Sequence, residues 1–98
     1  MVQSTKKCLS LLREYASSHA VQYGIKRIGI FGSVARGEQN KDSDLDILLE
    51  SDTISLFQMG TMLDDLEHLF DVPVDLIRKH KYLRPQFLER IEKDVVYA

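Results

Sequence analysis

Apolar residues recur along this chain in two patterns, one spaced every three to four residues and one concentrated in short runs. The first pattern predicts amphipathic helices, and the second predicts buried strands. The predicted helices are residues 4–19, residues 54–70 and a last helix with Pro85 in its first turn. The predicted strands are residues 28–31, 44–50 and 72–77, with a further short strand at 95–97. This order predicts an α/β (α+β) fold, with a small mixed sheet of about three core strands and helices mainly on one side.

The apolar stripes of the two longer helices are assigned to the core, because this spacing is more often packing than a ligand site. In residues 4–19 the stripe is Cys8, Leu12, Tyr15 and Ala16. In residues 54–70 it is Leu56, Met59, Leu63, Leu66 and Phe70. We expect the acidic residues Asp64, Asp65 and Glu67 to form the solvated side of that second helix.

A glycine-serine turn follows the first apolar run. Gly32 has no β-carbon, so a phosphate can approach its backbone closely. Ser33 can cap the short helical stretch that Gly37 ends, or it can donate its hydroxyl, and the free amides of such a turn favour an anion. Many strand-to-helix corners share this composition, so the turn gains weight from the aspartates that follow it in the chain.

Two aspartates open the second strand. If residues 44–50 are extended, Asp44 and Asp46 point to the same face with α-carbons about 6.6 Å apart. Two ionised carboxylates at that distance repel by about 2.5 kcal/mol at an effective dielectric near 20. A divalent cation such as magnesium relieves this repulsion, since it takes oxygen ligands and shares them between carboxylates and substrate phosphates. The simpler alternative is a solvated acidic turn.

Two familiar motifs are nearly matched and are rejected. The spacing from Gly32 to Gly37 fits a P-loop, but Glu38 and Gln39 stand where lysine and serine or threonine are required. Alternating aspartates at 42, 44 and 46 begin like an EF-hand, but Ile47 occupies the position that needs glycine.

A third carboxylate lies in the third predicted strand. Asp75 is flanked by valine and leucine, and burying it is costly unless it is paired or binds a metal. Pro73 places this strand at an edge of the sheet or at its very start. If the strand lies beside residues 44–50, Asp75 joins Asp44 and Asp46 on one face. The alternative is an aspartate at a strand end that faces water.

The three segments 32–37, 43–46 and 74–76 together resemble the DNA polymerase beta-like nucleotidyltransferases, and most of all the minimal nucleotidyltransferases. These are often the MntA-like antitoxin half of a pair with a HEPN-domain toxin. The resemblance implies a nucleotidyltransferase fold, with Gly32 and Ser33 holding the triphosphate and Asp44, Asp46 and Asp75 as catalytic residues that ligate the metal. Arg36 is left with two roles: it binds a phosphate as a guanidinium fork, or it pairs with a carboxylate near Asp44.

The same resemblance implies a reaction. AMP from ATP would pass to a hydroxyl of a HEPN toxin, the acceptor being a tyrosine, with Mg²⁺-dependent release of pyrophosphate. The reaction would use two Mg²⁺ ions, with Mn²⁺ as the alternative metal. The modification is called AMPylation, and it would silence the toxin. A chain of one domain, residues 1–98, would leave the acceptor to be held by a partner or another subunit, with Tyr82, Tyr97 and Met62 as contacts.

Two other function classes stay open. One is a non-catalytic antitoxin that neutralises its partner by binding to it, and the other is nucleotidyl transfer to a small molecule. Retention of all five residues (Gly32, Ser33, Asp44, Asp46 and Asp75) speaks against a vestigial site, and a small-molecule enzyme also needs a pocket wall.

Composition narrows the setting. The chain has 98 residues, a hydrophobic content of 44% and a net charge of −2, so no overall basic field attracts nucleic acid. We therefore expect no direct nucleic-acid binding. Cys8 is the sole cysteine, which excludes a disulfide framework, and no apolar run approaches the length of a membrane span. We expect a cytoplasmic protein with no membrane partner, assembled as a homo-oligomer or hetero-oligomer.

Overall fold

The structure, a computed structural model, describes residues 3–98. Within these residues, four helices and four strands alternate. The helices are α1 (Thr5–Tyr23), α2 (Gly32–Ala35), α3 (Leu56–Phe70) and α4 (Pro85–Asp94). The strands are β1 (Ile25–Phe31), β2 (Leu45–Ser51), β3 (Val74–Arg78) and β4 (Val96–Tyr97). None of these helices is both long enough and apolar enough to cross a bilayer.

The four strands form one mixed sheet in the order β3-β2-β1-β4. β1 pairs antiparallel with β2 and with β4, whereas β2 and β3 run parallel. The mixed α+β architecture confirms the predicted fold class. The sheet has four strands rather than about three, because the short strand predicted at 95–97 is present as β4 and pairs with β1 at Gly29 and Ile30.

The main core lies between one face of the sheet and helices α1 and α3. Alternate residues of β2 point into it, and Leu45, Ile47 and Leu49 are all fully buried. The intervening residues of β2 point to the other face, which α4 approaches through its contacts with β1. That alternation places Asp46, Leu48 and Glu50 on the face opposite the main core.

Helix α1 starts and ends where its sequence dictates. Ser4 is the N-cap, and its hydroxyl accepts a hydrogen bond from the amide of Lys7 at 3.2 Å. Gly24 ends the helix in the left-handed conformation with φ of 63°. The buried side of α1 includes Cys8, Leu12 and Tyr15, as its periodicity predicted.

The buried side of α3 agrees with the predicted stripe at Leu66 and Phe70 and differs from it at Met62 and Leu56. Its buried residues are Met62, Leu66 and Phe70, spaced four apart. The expectation that Leu56 is core was wrong, because this side chain is 92% exposed. Met62, expected to contact a partner, is instead fully buried.

Two acidic residues of α3 bond within the fold rather than only to solvent. The Tyr15 hydroxyl donates to Asp65 Oδ2 at 3.2 Å, and the Val74 amide donates to Glu67 Oε2 at 3.0 Å. Asp64 is exposed, as expected. Glu67 therefore ties α3 to the first residue of β3.

Candidate active site

The turn after β1 is built around a left-handed glycine. Gly32 has φ of 74°, a conformation that residues with a β-carbon rarely adopt. The chain then forms the single turn α2, and the Glu38 amide closes it by donating to the Ser33 carbonyl at 2.9 Å. Thr5 of α1 donates its hydroxyl to the Val34 carbonyl, which fixes the turn to the main body of the fold.

Gly32 and Asp46 lie in direct contact. A β-carbon placed on Gly32 would overlap Oδ2 of Asp46 and would come within 3.1 Å of its Cγ. The pairing of β1 with β2 produces this approach, since Phe31, the residue before Gly32, lies opposite Asp46. The glycine at this position therefore leaves room for the aspartate carboxylate as well as for the backbone conformation.

Asp46 also lies directly opposite Asp75 in the parallel pairing of β2 with β3. Paired residues of neighbouring strands point to the same face, so the two carboxylates project side by side. Burial raises the pKa of the Asp46 carboxyl, and the negative charges of Asp75 and Asp44 raise it further. The Arg36 guanidinium opposes this shift. The three predicted aspartates are thus close enough to act on one another electrostatically.

The three aspartates differ in exposure. Asp46 is half-buried, whereas Asp44 and Asp75 are exposed. The prediction that residues 44–50 form the strand was wrong by one residue, because β2 begins at Leu45 and Asp44 belongs to the loop before it. The concern that Asp75 is buried among apolar neighbours was also wrong, because β3 is an edge strand.

Within residues 3–98, no group of three or more histidine, cysteine, aspartate or glutamate residues is gathered tightly enough to hold a metal ion by itself. The acidic site is therefore open rather than a closed cage. Magnesium is suited to such sites, because it keeps several waters and uses one or two carboxylates together with substrate phosphates.

Arg36 is engaged with carboxylates in this structure. Its Nη1 donates to Asp94 Oδ2 at 2.6 Å, and its Nε donates to Glu38 Oε1. These two hydrogen bonds raise the pKa of Arg36, and the bond to Glu38 has the larger effect. Carboxylate pairing was one of the two predicted roles, although its partners are Glu38 and Asp94 rather than an acid near Asp44. The side chain stays 46% exposed and lies near enough to Asp46 to act on its carboxyl.

The loop before Asp44 has an ordered shape. The Asp42 amide donates to Asn40 Oδ1 at 2.8 Å, and the Asn40 amide donates to Ser43 Oγ at 2.9 Å. This local bonding is typical of an Asx turn and directs the chain into β2. A cavity of about 290 Å³ beside Asp44 is lined by this loop and by residues 71–73.

Sequence reasoning missed two residues near the site. Asp71 lines the cavity beside Asp44 and ends α3 in the left-handed conformation with φ of 55°. The sequence offered one sign of Asp71, which is its position between the end of a predicted helix and Pro73. Asp94, which binds Arg36, carried no local signal, because it lies far along the chain at the end of α4.

Comparison with known proteins agrees with this geometry. The family model of the nucleotidyltransferase domain matches residues 9–98. A Methanocaldococcus jannaschii protein provisionally named as a protein adenylyltransferase is 38% identical over 88 residues, which cover 89% of this chain and 90% of the relative. The protein adenylyltransferase MntA of Thermococcus cleftensis is 35% identical over 90 residues, covering 91% and 90%.

Solved structures give the same relationship. A structure described as a minimal nucleotidyltransferase has a TM-score of 0.77 and 32% identity, covering 96% of this chain and 95% of that one. An MNT antitoxin in complex with a tri-AMPylated Shewanella oneidensis HEPN toxin shares the fold, with a TM-score of 0.61, 19% identity and coverage of 95% and 66%. The chain belongs to the nucleotidyltransferase domain family, among its minimal MntA-like members, and is a nucleotidyltransferase.

Proposed function

We propose that this chain transfers AMP from ATP onto a tyrosine hydroxyl of a HEPN-domain toxin, releases pyrophosphate and thereby acts as an antitoxin. The observation that carries the proposal is the carboxylate of Asp46, which rests against Gly32 on one side and lies beside Asp75 on the other. The glycine-serine turn and the two acids Asp46 and Asp75 therefore meet at one point of the sheet. The names of the relatives from Thermococcus and Methanocaldococcus support the same reaction.

The nucleotide is assigned to the turn of Gly32 and Ser33. Without a β-carbon at Gly32, a phosphate can approach the backbone, and the Ser33 hydroxyl and nearby amides can donate to its oxygens. Arg36 follows on the same turn and bears the positive charge nearest in the chain. A phosphate oxygen could take the place of the Glu38 or Asp94 carboxylate as a hydrogen-bond acceptor, so the Arg36 guanidinium would stay paired.

The site has the chemistry of a divalent-metal site. The raised pKa of Asp46 reflects burial and two neighbouring negative charges, and a divalent cation favours the ionised form that these features oppose. Asp44, Asp46 and Asp75 would hold Mg²⁺, with Mn²⁺ as a substitute, and the open arrangement leaves room for phosphate oxygens to complete the ligands. Such ions, when bound, would supply the positive charge that neutralises the α-phosphate during the transfer.

Asp75 is assigned to the acceptor. It is exposed and lies beside Asp46, so a hydroxyl brought to this edge of the sheet can donate its proton to the Asp75 carboxylate. The hydroxyl oxygen then forms a bond to the α-phosphorus, and the bond from that phosphorus to pyrophosphate breaks. Because Asp44 and Asp75 are both exposed, the acceptor can be a side chain of a separate protein.

The proposal is tested with ATP labelled in its α-phosphate, Mg²⁺ and a purified HEPN-domain protein. We expect label on a tyrosine of that protein, and no label when Asp46→Asn replaces the wild type. A stable complex without label would favour neutralisation by binding alone. Label that appears only on added small molecules would favour the small-molecule class.

A further inference from the structure

The outer edge of β3 presents unpaired backbone groups. In the parallel ladder with β2, the Leu45 amide donates to the Pro73 carbonyl and the Lys79 amide donates to the Leu49 carbonyl. Backbone groups of successive residues point to opposite sides of a strand, so between these two bonds the amide and carbonyl groups of residues 75 and 77 also point toward β2. The amides and carbonyls of Val74, Leu76 and Arg78 therefore face outward.

The fold closes this edge at one end only. The outward amide of Val74 donates to Glu67, whereas no loop or side-chain group of residues 3–98 bonds the amides of Leu76 and Arg78. Soluble proteins usually protect such edges, since unpaired strand groups are a template for another chain. An edge left open beside an active site is therefore a candidate docking strand.

A groove runs beside this open edge, toward the first turn of α3. Its volume is about 320 Å³, and six of its eight lining residues are apolar, among them Leu56, Met59 and Leu76. The other two are Arg78 and His80, so no carboxylate lines it. Leu56 is 92% exposed, and exposed apolar area of this kind marks a binding surface more often than an isolated surface leucine does.

The groove has a basic residue in its lining. Arg78 lines it and has no carboxylate within salt-bridge distance among residues 3–98, and the same holds for Lys81 and Arg84, which follow it in the chain, whereas Lys79 pairs with Glu92 at 3.3 Å. The acidic site lies at the other end of β3, so this edge changes from negative to positive along one strand. An occupant that complements the groove carries apolar side chains and a carboxylate.

The geometry of β3 links this groove to the acidic site. Asp75 and Arg78 are three residues apart, about 10 Å along the strand. Side chains of a strand added at the edge would alternate between faces. Those on the face of Leu76 would enter the groove, and those on the face of Asp75 would lie beside that carboxylate.

We propose that the open edge of β3 and its groove dock an extended segment of the acceptor protein, with apolar and acidic side chains in the groove and the acceptor hydroxyl beside Asp75. The inference rests on the proposed function for the identity of the hydroxyl, but docking itself is measurable without ATP. It assigns the positioning of the acceptor to this chain's own edge strand.

The test uses a designed peptide of nine residues. Alternate positions are valine, one end carries two glutamates, and the other end carries a tyrosine on the opposite face. A second peptide reverses this order, because the docked direction is parallel or antiparallel to β3. Binding is followed by NMR of the full chain, with hydrogen exchange of the Leu76 and Arg78 amides as the specific measurement.

We expect one of the two peptides to bind, to slow exchange of both amides and to be labelled on tyrosine when Mg²⁺ and ATP are added. Arg78→Glu and Leu56→Asp should each weaken binding by about tenfold. Matched changes at exposed sites away from the groove, Lys6→Glu and Val21→Asp, should leave it unchanged. Peptides with lysine in place of glutamate, or with N-methylated alternate amides, should not bind.

Four results would overturn the inference: neither peptide binds, the lysine peptide binds equally well, an oligonucleotide alone protects the edge, or the amides are protected by self-association of the chain. Docking with amide protection but no AMP transfer to any protein would instead overturn the proposed function and leave the docking surface in place. If AMP transfer to a HEPN protein is unaffected by Arg78→Glu and by Leu56→Asp, the docking surface would be overturned and the proposed function would stand.

Discussion

Asp46 lies opposite Asp75 across two parallel strands, while its carboxylate rests against the backbone of Gly32, the residue that follows β1. One half-buried acid thus joins the turn assigned to the triphosphate and the exposed acid assigned to the acceptor. Like charges held together in this way destabilise a fold unless a cation or protons neutralise them. The arrangement therefore trades stability for a function that requires negative charge.

Removing the charge of Asp46 should separate these two effects. We expect Asp46→Asn to abolish AMP transfer and to raise the melting temperature at neutral pH, because the amide keeps the shape of the side chain without its repulsion. Asp52→Asn is the matched control, since Asp52 is an exposed acid paired with Lys26 at 3.5 Å. Undiminished transfer by Asp46→Asn would reject the role given to this residue.

The stability difference between Asp46→Asn and the wild type should depend on pH. Because the pKa of Asp46 is higher in the folded chain than its ordinary value of 3.8, the folded state binds more protons between those two pKa values. The wild type therefore loses stability relative to the variant as pH rises through that window, and the difference is constant above it. Denaturant unfolding at a series of pH values measures this, and a stability difference that does not change as pH rises through that window would contradict the account.

Two glycines with the same backbone conformation provide a matched pair. Gly32 and Gly37 have φ of 74° and 70°, but a β-carbon would meet Asp46 only at Gly32 and open space at Gly37. Each change to alanine should cost about 1 kcal/mol of unfolding free energy through the left-handed conformation. Gly32→Ala should cost more and should abolish transfer, whereas Gly37→Ala should stay active. Equal activities of the two variants would contradict the close contact.

Arg36 should matter for the nucleotide more than for the fold. We expect Arg36→Ala to raise the KM for ATP with little change in melting temperature, because its ion pairs are solvent-exposed. Asp94→Asn removes a carboxylate that competes with phosphate for the guanidinium and should lower the KM, and Asp94→Glu should restore the wild-type value. An unchanged KM in Arg36→Ala would leave the arginine with its structural pairing alone.

The Glu50 side chain provides a prediction for the scaffold. Burial alone would raise its pKa, but the bonds from Tyr97 at 2.9 Å and from Arg27 at 2.7 Å outweigh burial and lower it. Tyr97→Phe should cost about 1 kcal/mol near neutral pH. Glu50 stabilises the fold above its ordinary pKa of 4.5, and this contribution disappears as pH falls through the lower folded value.

The cost of Tyr97→Phe should therefore shrink in acid. Tyr82→Phe is the control, because Tyr82 is 78% exposed and its hydroxyl makes no hydrogen bond within residues 3–98. A constant cost of Tyr97→Phe across pH would mean that Glu50 does not carry the effect.

Features that are local in sequence could be predicted. The glycine-serine turn, the aspartates that follow it and the helix beginning at Pro85 each depend on neighbouring residues, and the structure has them within one or two positions. The strand β3 itself was expected from the apolar run, and Pro73 allowed the edge position that β3 occupies, whereas its place beside β2 was only a condition of the metal-site prediction. Its edge location explains why Asp75 is exposed.

Features that depend on packing between distant parts of the chain could not be predicted from the sequence. The partners of Arg36 include Asp94, which is separated from it by 58 positions and is brought near only by the path of α4. Met62 rather than Leu56 lies on the buried side of α3, and periodicity alone fits both residues. The short strand predicted at residues 95–97 is present as β4, but its place beside β1 depends on the path of the chain and has no signal in two residues.

The most direct test is NMR of the labelled chain titrated with a non-hydrolysable ATP analogue, with and without Mg²⁺. The account predicts that the amides of Gly32, Ser33 and Asp46 shift with the analogue, and that Asp75 shifts only when the metal is also present. Shifts confined to another surface, or an Asp75 that is unaffected by metal and nucleotide together, would contradict it.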